Sequence, residues 1–241
     1  MKTKNPQVKG VDKKSSIFWE LFFPKYCSPE WLPLINLYKK NQFFKAEDRI
    51  FNEGDPADGI YLLTSGKVKV VSQYDKNNER ILRLAAEGQI LGHRAIGQTV
   101  FPISAIALTD CSVMFIPKDI FLKLIMSNPE FSVFMINFIA AELLESEERM
   151  KNMIHHDVKM RIADIICMSL DAFGYDETEK YKLSYTLSRK DYANIAGTTY
   201  ETAIRVLFQL QEMGLIQLDK KAILVKNESG LRKLAGKKYS R

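Results

Sequence analysis

The 241 residues include 46% hydrophobic and 27% charged side chains, with a net charge of +6. That is too apolar for a disordered polyelectrolyte and leaves room for one large or two modest packed domains. No apolar run reaches membrane-spanning length, and no segment reads as a secretory leader. Cys27, Cys111 and Cys167 are far apart and odd in number, which suits reduced thiols in a cytoplasm better than a disulfide framework. From Val158 onward 15 Lys/Arg stand against 10 Asp/Glu, so +5 of the +6 falls there. This asymmetry favours a nucleic-acid-facing C-terminal half.

In chain order, residues 1–16 read as a polar, lysine-rich tail, and 1–31 together as tail and lead-in. From about Phe43 to Pro117, short apolar segments alternate with glycine-bearing turns. Ile60-Tyr61-Leu62-Leu63 and Val68-Lys69-Val70-Val71 flank Thr64-Ser65-Gly66-Lys67, a hairpin signal. Ile81-Leu82-Arg83-Leu84 follows a turn at Asp75-Lys76-Asn77-Asn78, and Ala105-Ile106-Ala107-Leu108 and Val113-Met114-Phe115-Ile116 flank Thr109-Asp110-Cys111. Many short strands at this spacing predict a sandwich or jelly roll.

Residues 129–153 contain no glycine or proline after Pro129 and predict a long helix. Ile136, Leu143 and Met150 repeat every seven residues, and Ile139, Ser146 and Met153 follow each by three, an a/d seam with a polar interruption at Ser146. Phe131, Phe134 and Phe138 mark a second apolar face suited to packing on the strands. The bland alternative is one amphipathic helix buried within a monomer, against which the two faces argue, because a single domain contact covers only one. Val158, Ile162, Ile165, Ile166 and Phe173 keep helical spacing until Gly174.

The segment 187–207 then reads as two helices joined by a tight turn. Ser188 precedes Asp191 by three and Thr198 precedes Glu201 by three, spacings of an N-cap with a returning acid. Gly197 stands where the chain leaves the first helix. Tyr192, Ile195, Ala196, Ala203, Val206 and Leu207 supply a core face, which leaves Tyr200, Glu201 and Arg205 free. This is a helix-turn-helix, whose second helix enters the major groove. Arg205 suits guanine O6 and N7, and Glu201, four residues earlier on the same face, suits a cytosine amino group. The bland alternative is a Glu201–Arg205 pair across one turn. Ser188, Arg189, Thr199, Tyr200 and Thr202 complete the candidate DNA contacts at the two helix starts. Segments 213–218 and 222–225 flank Asp219-Lys220-Lys221 as a hairpin, making a winged helix with Lys220 and Lys221 at its tip, placed for phosphate.

Glu53-Gly54-Asp55-Pro56-Ala57-Asp58-Gly59-Ile60-Tyr61, with Gly66-Lys67-Val68, resembles the opening of a cyclic-nucleotide-binding β-roll. Joined to the winged helix, it resembles the Crp/Fnr family of bacterial transcription regulators from about Leu32 to Leu234. The resemblance implies an α+β chain: a β-roll sensor over 32–128, a dimerisation helix and hinge over 129–156, a winged helix over 157–235 and a basic tail over 236–241. Its nucleotide-binding members carry a cassette Glu for the ribose and an Arg for the cyclic phosphate. Here His93 stands at the Glu position and Ile103 at the Arg position, within Gly92-His93-Arg94 and Ile103-Ser104. An isoleucine cannot pair a buried phosphate. Cyclic AMP is therefore disfavoured, with Arg94 the one residue that would have to substitute. Ser146 and Glu147 match positions where such members contact the base, completing the candidate effector pocket.

An iron–sulfur cluster is disfavoured because about four ligands are needed and the chain has three cysteines. Haem stays open, with His93, His155 and His156 as alternative ligands or plain structural histidines; the last two sit at the hinge, either as a protonation switch or as solvated helix-end residues. No catalytic motif or metal-ligand spacing stands out, and an enzyme is not expected. The expectation is a cytoplasmic, homodimeric, sequence-specific regulator of double-stranded DNA bearing an inverted repeat, with RNA polymerase a further partner and no membrane role. The rival reading is a ligand-binding module that acts on a protein partner.

Overall fold

The computed structural model describes residues 22–75 and 78–236. The expected tail at 1–16, the tail at 236–241 beyond Gly236, and the centre of the turn at 75–78 lie outside the described residues. By contact the chain forms two units: the described parts of Met1–Val68 with Ala86–Ile136, and of Lys69–Ala85 with Asn137–Arg241.

In the first unit α1 (Trp31–Tyr38) leads into β1 (Lys40–Phe44), β2 (Arg49–Phe51) and β3 (Gly59–Ser65). The chain passes through β4 (Lys67–Asp75) and β5 (Asn78–Ala86), of which Lys69–Ala85 belong to the second unit, and returns to the first for β6 (Ile90–Leu91), a 3-10 turn at His93–Ala95, β7 (Ser104–Ala107), β8 (Cys111–Pro117) and α2 (Lys118–Ser127). One sheet has the order β1-β8-β3-β6 and the other β2-β7-β4-β5. Strand β3 pairs antiparallel with β8, Tyr61 opposite Phe115 and Leu62 opposite Met114. The jelly-roll expectation holds.

Two of its details are corrected. β3 and β4 are not hairpin partners: Gly66 is a corner at which the chain leaves one sheet for the other, and β7 and β8 change sheets in the same way through Thr109-Asp110. At Gly66, φ is +97°, and a Cβ would stand 2.5 Å from Cys111 Sγ and 2.6 Å from Asp110 O. The two corners pack on each other, which only glycine permits. The near-continuous burial of β3 has a related cause: it is central in its sheet, and α2 packs on it.

Helix α3 (Pro129–His155) is 27 residues long, so it spans about 40 Å. Phe131 is buried at its start, edge-on to Phe121 at 5.6 Å and to Phe22 at 6.1 Å, while Phe134 lies 4.8 Å from Phe22 and 4.9 Å from Tyr26. The second apolar face therefore packs, at Phe131 and Phe134, on residues 22–26 and on Phe121 of α2 and not on the strands; the sequence reading gives residues 22–26 only as lead-in. Among the described residues no single helix is long and apolar enough to cross a membrane.

The second unit continues with α4 (Val158–Phe173), α5 (Arg189–Ala196), α6 (Tyr200–Glu212), the hairpin β9 (Ile216–Asp219) and β10 (Ala222–Val225), and α7 (Glu228–Leu234). Asp157 caps α4 by accepting from Met160 N at 2.8 Å, a contribution of about 1 kcal/mol. Tyr192, Ala196, Ala203, Leu207, Ile162, Ile166, Ile223 and Leu231 form its buried core.

Candidate DNA interface and effector pocket

Helix α5 begins with a complete capping box: Ser188 Oγ accepts from Asp191 N at 3.0 Å, and Asp191 Oδ2 accepts from Ser188 N at 3.3 Å. Gly197 then adopts the left-handed conformation, φ +58° and ψ +49°, and a Cβ there would meet Met153 Cε at 2.9 Å. The second cap differs from the expected one. Thr199, not Thr198, accepts from Thr202 N at 3.2 Å, because Thr198 is still within the turn and donates its N–H back to Ala193 O at 3.0 Å.

The shift by one residue frees Glu201 from capping. Tyr200, Glu201 and Arg205 are exposed on the outer face of α6, while Ala203, Val206 and Leu207 are buried on the other. Thr199 is exposed and Thr202 half-buried, their hydroxyls 3.0 Å apart. Among the described residues neither the Glu201 nor the Arg205 side chain has a hydrogen bond or ion pair, so the one-turn pair is not formed. The wing tip is a two-residue turn, Lys220-Lys221, joining Asp219 to its partner Ala222, with Lys220 at φ +51°. Arg189 Nη2 reaches to 3.5 Å from Lys220 O, bringing the start of α5 beside the wing tip. Ser188, Arg189, Lys220 and Lys221 thus form one polar edge.

Of the expected pocket residues of the first unit, His93 and Ser104 bond to the protein's own backbone. His93 is buried, with Nδ1 3.2 Å from Ile90 O. Ile103 is 7% exposed and Ser104 2%. Ser104 Oγ accepts from Glu53 N at 2.8 Å. Gly92, in the left-handed region at φ +81°, opens the turn that carries His93 and the half-buried Arg94, the one guanidinium in segment 88–105. Beside it Phe51 stacks on Phe101 at 4.2 Å and on Tyr61 at 5.3 Å. Burial, with Asp58 and Asp55 adding, pushes the Tyr61 hydroxyl up to about 12. Ser146 and Glu147 belong to the other unit, exposed on α3.

Two models of known families match the chain: a cyclic nucleotide-binding domain over residues 41–128 and a Crp-like helix-turn-helix domain over 160–234. The chain belongs to the Crp/Fnr family of transcription regulators. It is 28% identical to a global nitrogen regulator from Synechococcus elongatus over 78% of this chain and 86% of that one. It is 25% identical to a CRP-like cAMP-activated global transcriptional regulator from Mycobacterium tuberculosis over 77% of this chain and 84% of that one. In fold it is similar to FixK2 from Bradyrhizobium japonicum, with TM-score 0.73 and 19% identity over 84% of this chain and 99% of that chain. This Crp/Fnr chain is therefore a helix-turn-helix DNA-binding regulator and not an enzyme.

Sequence reasoning missed the back of α5 in this Crp/Fnr regulator. Lys69 Nζ pairs with Asp191 Oδ1 at 3.0 Å, both side chains only 15% exposed. Asn194 Oδ1 accepts from Ile81 N at 2.9 Å, and its Nδ2 donates to Glu79 O. Arg83 forms a buried ion pair with Glu142 of α3. Arg161 of α4 donates to His156 O at 2.9 Å and Ala196 O at 2.9 Å, tying the ends of α3 and α5 together. These partners stand 5 to 122 residues apart in the chain; no local pattern announces the distant ones.

Proposed function

We propose that this Crp/Fnr regulator acts in the cytoplasm as a homodimer that reads an inverted-repeat operator in double-stranded DNA, and that cyclic AMP is not its effector. The observation that carries the first part is the free pair Glu201 and Arg205 on the outer face of α6, four residues apart and unengaged. Together they match one G·C pair. Thr199, Tyr200 and Thr202 beside them, and Ser188, Arg189, Lys220 and Lys221 at the polar edge, supply contacts to the sugar–phosphate backbone.

The dimer reading rests on a stripe of large apolar side chains along α3. Ile136 is 65% exposed, Ile139 46%, Leu143 58% and Met150 62%. Four such residues in water on one helix call for a partner, and a second copy supplies the same stripe. Met153, assigned to the same seam, is half-buried with its Cε toward Gly197, so it joins the seam only in part. On this reading the domains are a β-roll over 32–128, a connector over 129–156 and a winged helix over 157–235, with RNA polymerase a further partner.

The effector reading rests on Ile103, His93 and Ser104. The first has no cation to offer a phosphate, the second is buried against a carbonyl, and the third is held by Glu53 N. Gly92 and Arg94 complete the altered pocket, and Ser146 and Glu147 are exposed on the connector where a signal can enter. Three cysteines where about four ligands are usual disfavour an iron–sulfur cluster; haem stays open. Selection of bound duplexes from a random pool, with calorimetric titration of cyclic AMP, tests both parts. An inverted repeat with a G·C pair in each half-site and no cyclic AMP heat at micromolar concentration is expected. Unselective enrichment refutes the first part, and micromolar affinity refutes the second.

A further inference from the structure

The hairpin of β4 and β5 lies inside the stretch that matches the nucleotide-binding domain, yet its residues Lys69–Ala85 belong by contact to the second unit. It holds the back of α5 at two places. Lys69 reaches Asp191, which also closes the capping box of α5. Asn194 does the work of a peptide group: its carbonyl oxygen takes the N–H of Ile81 and its amide donates to Glu79 O. One side chain thereby satisfies a donor and an acceptor of the β5 backbone, a match that depends on position to within a few tenths of an ångström. The same hairpin grips the connector through Arg83 and Glu142, and Arg161 fixes the far end of α5 to the end of α3. Glu201 and Arg205 stay exposed on α6 while all these contacts are made.

We infer that the β4–β5 hairpin is a clamp that positions the helix-turn-helix for DNA, with Lys69 and Asn194 as positioning residues that never touch DNA themselves. The clamp covers none of the recognition residues, so it does not act by masking them. It acts by holding α5 and, through the Gly197 turn, α6 in one attitude on the connector. A free-swinging helix-turn-helix binds any duplex through phosphates but loses the fixed register that base readout needs. The hairpin strands run directly into the β-roll at Lys67 and Ala86, so a change of state in the roll has a covalent route to α5. This inference rests on the DNA-binding reading and adds to it the path by which the roll reaches the recognition helix.

The test uses the full chain, a duplex enriched from a random pool by the wild-type protein, and a duplex of unrelated sequence. Asn194→Ala removes both amide contacts. Lys69→Gln removes the ion pair while leaving α5 unaltered, and so guards against a folding defect in the helix. Each is expected to weaken the enriched duplex about 5- to 20-fold, a usual range for coupled sites, and the unrelated duplex less than about 2-fold. Hydrogen exchange at the Ile81 amide is expected to quicken in Asn194→Ala. By reciprocity it is expected to slow in the wild type when DNA is added. Unchanged or tighter binding of the enriched duplex by Lys69→Gln overturns the clamp. Equal loss on both duplexes overturns it too, since that is the mark of a merely structural role. If the pool yields no enriched sequence, base readout fails separately. Ile81 exchange with unrelated DNA then decides the clamp: slowing upholds it, and no change overturns it.

Discussion

Helix α6 and the segment around His93 and Ser104 treat their polar groups in opposite ways. On α6, Glu201 and Arg205 are exposed and unengaged, supported from behind by Ala203, Val206 and Leu207. In the β-roll, His93 and Ser104 are buried and already bonded to Ile90 O and Glu53 N. A surface that reads another molecule keeps its donors and acceptors free until that molecule arrives, because a buried polar group must be satisfied at once. The difference separates an exposed, unengaged pair on α6 from two buried polar groups already bonded to the protein's own backbone.

The strongest way to break the comparison is to break the proposed dimer. Leu143→Glu sets two carboxylates against each other in the proposed apolar seam. It is expected to yield monomer by light scattering and to weaken an inverted-repeat duplex by about 10²- to 10⁴-fold, the loss of linked binding. A dimer that survives the change places the interface away from this stripe. Next, Ile103→Arg tests whether the cassette tolerates the charge that a phosphate site requires. With Ile103 only 7% exposed, an unpaired guanidinium there is expected to lower stability by about 2–4 kcal/mol in urea unfolding. An unchanged midpoint means that the site is roomy and wet, and the contrast with α6 fails.

Arg205→Ala sharpens the other side. It is expected to lose about 1–3 kcal/mol on the selected operator and to relax preference at one base pair. Equal weakening of specific and unrelated DNA makes Arg205 a phosphate contact instead. Lys220→Ala is the matched control at the wing tip: binding weakens uniformly across sequences and the salt slope falls by about 1. A sequence-selective loss from Lys220→Ala removes the distinction between the two kinds of contact.

The features legible in the sequence are those with a local signature. The Ser188–Asp191 capping box, the Gly197 turn, the wing around Lys220-Lys221 and the long glycine-free α3 each come from spacing within a few residues. Two readings went astray where local spacing allows two answers. Thr198 and Thr199 both look like caps, and only the path of the turn selects Thr199. A glycine between two apolar runs looks like a hairpin whether the strands pair or part, and Gly66 parts them. The packing of Phe22 on Phe134 and the seating of Asn194 on β5 join residues more than a hundred positions apart. Their partners are set by tertiary closure, which periodicity does not record.

The smallest effect lies at the end of the winged helix, away from both contrasted regions. Tyr175 donates to Glu228 Oε2 at 2.7 Å, and Arg232 Nε donates to Glu228 Oε1 at 2.8 Å while its Nη2 donates to Asp171 Oδ1 at 2.6 Å. The Tyr175 hydroxyl first, then Arg232, hold the Glu228 carboxyl below the ordinary glutamate range. A depressed carboxyl adds stability that is fully present above its unfolded value and is lost as pH falls through its folded one. Tyr175→Phe removes the largest of these causes. Because the Glu228 side chain is 40% exposed, solvent offsets part of the gain, and the expected loss at pH 7 is about 0.5 kcal/mol. Urea unfolding of wild type and variant at pH 7 and again below pH 4 checks it. The gap is expected to narrow at the lower pH, where Glu228 takes up its proton and the hydroxyl no longer meets a charge. DNA affinity is expected to stay the same at pH 7. A gap that widens with acid means that the network favours the protonated carboxyl, and an altered operator affinity means that α7 takes part in reading DNA.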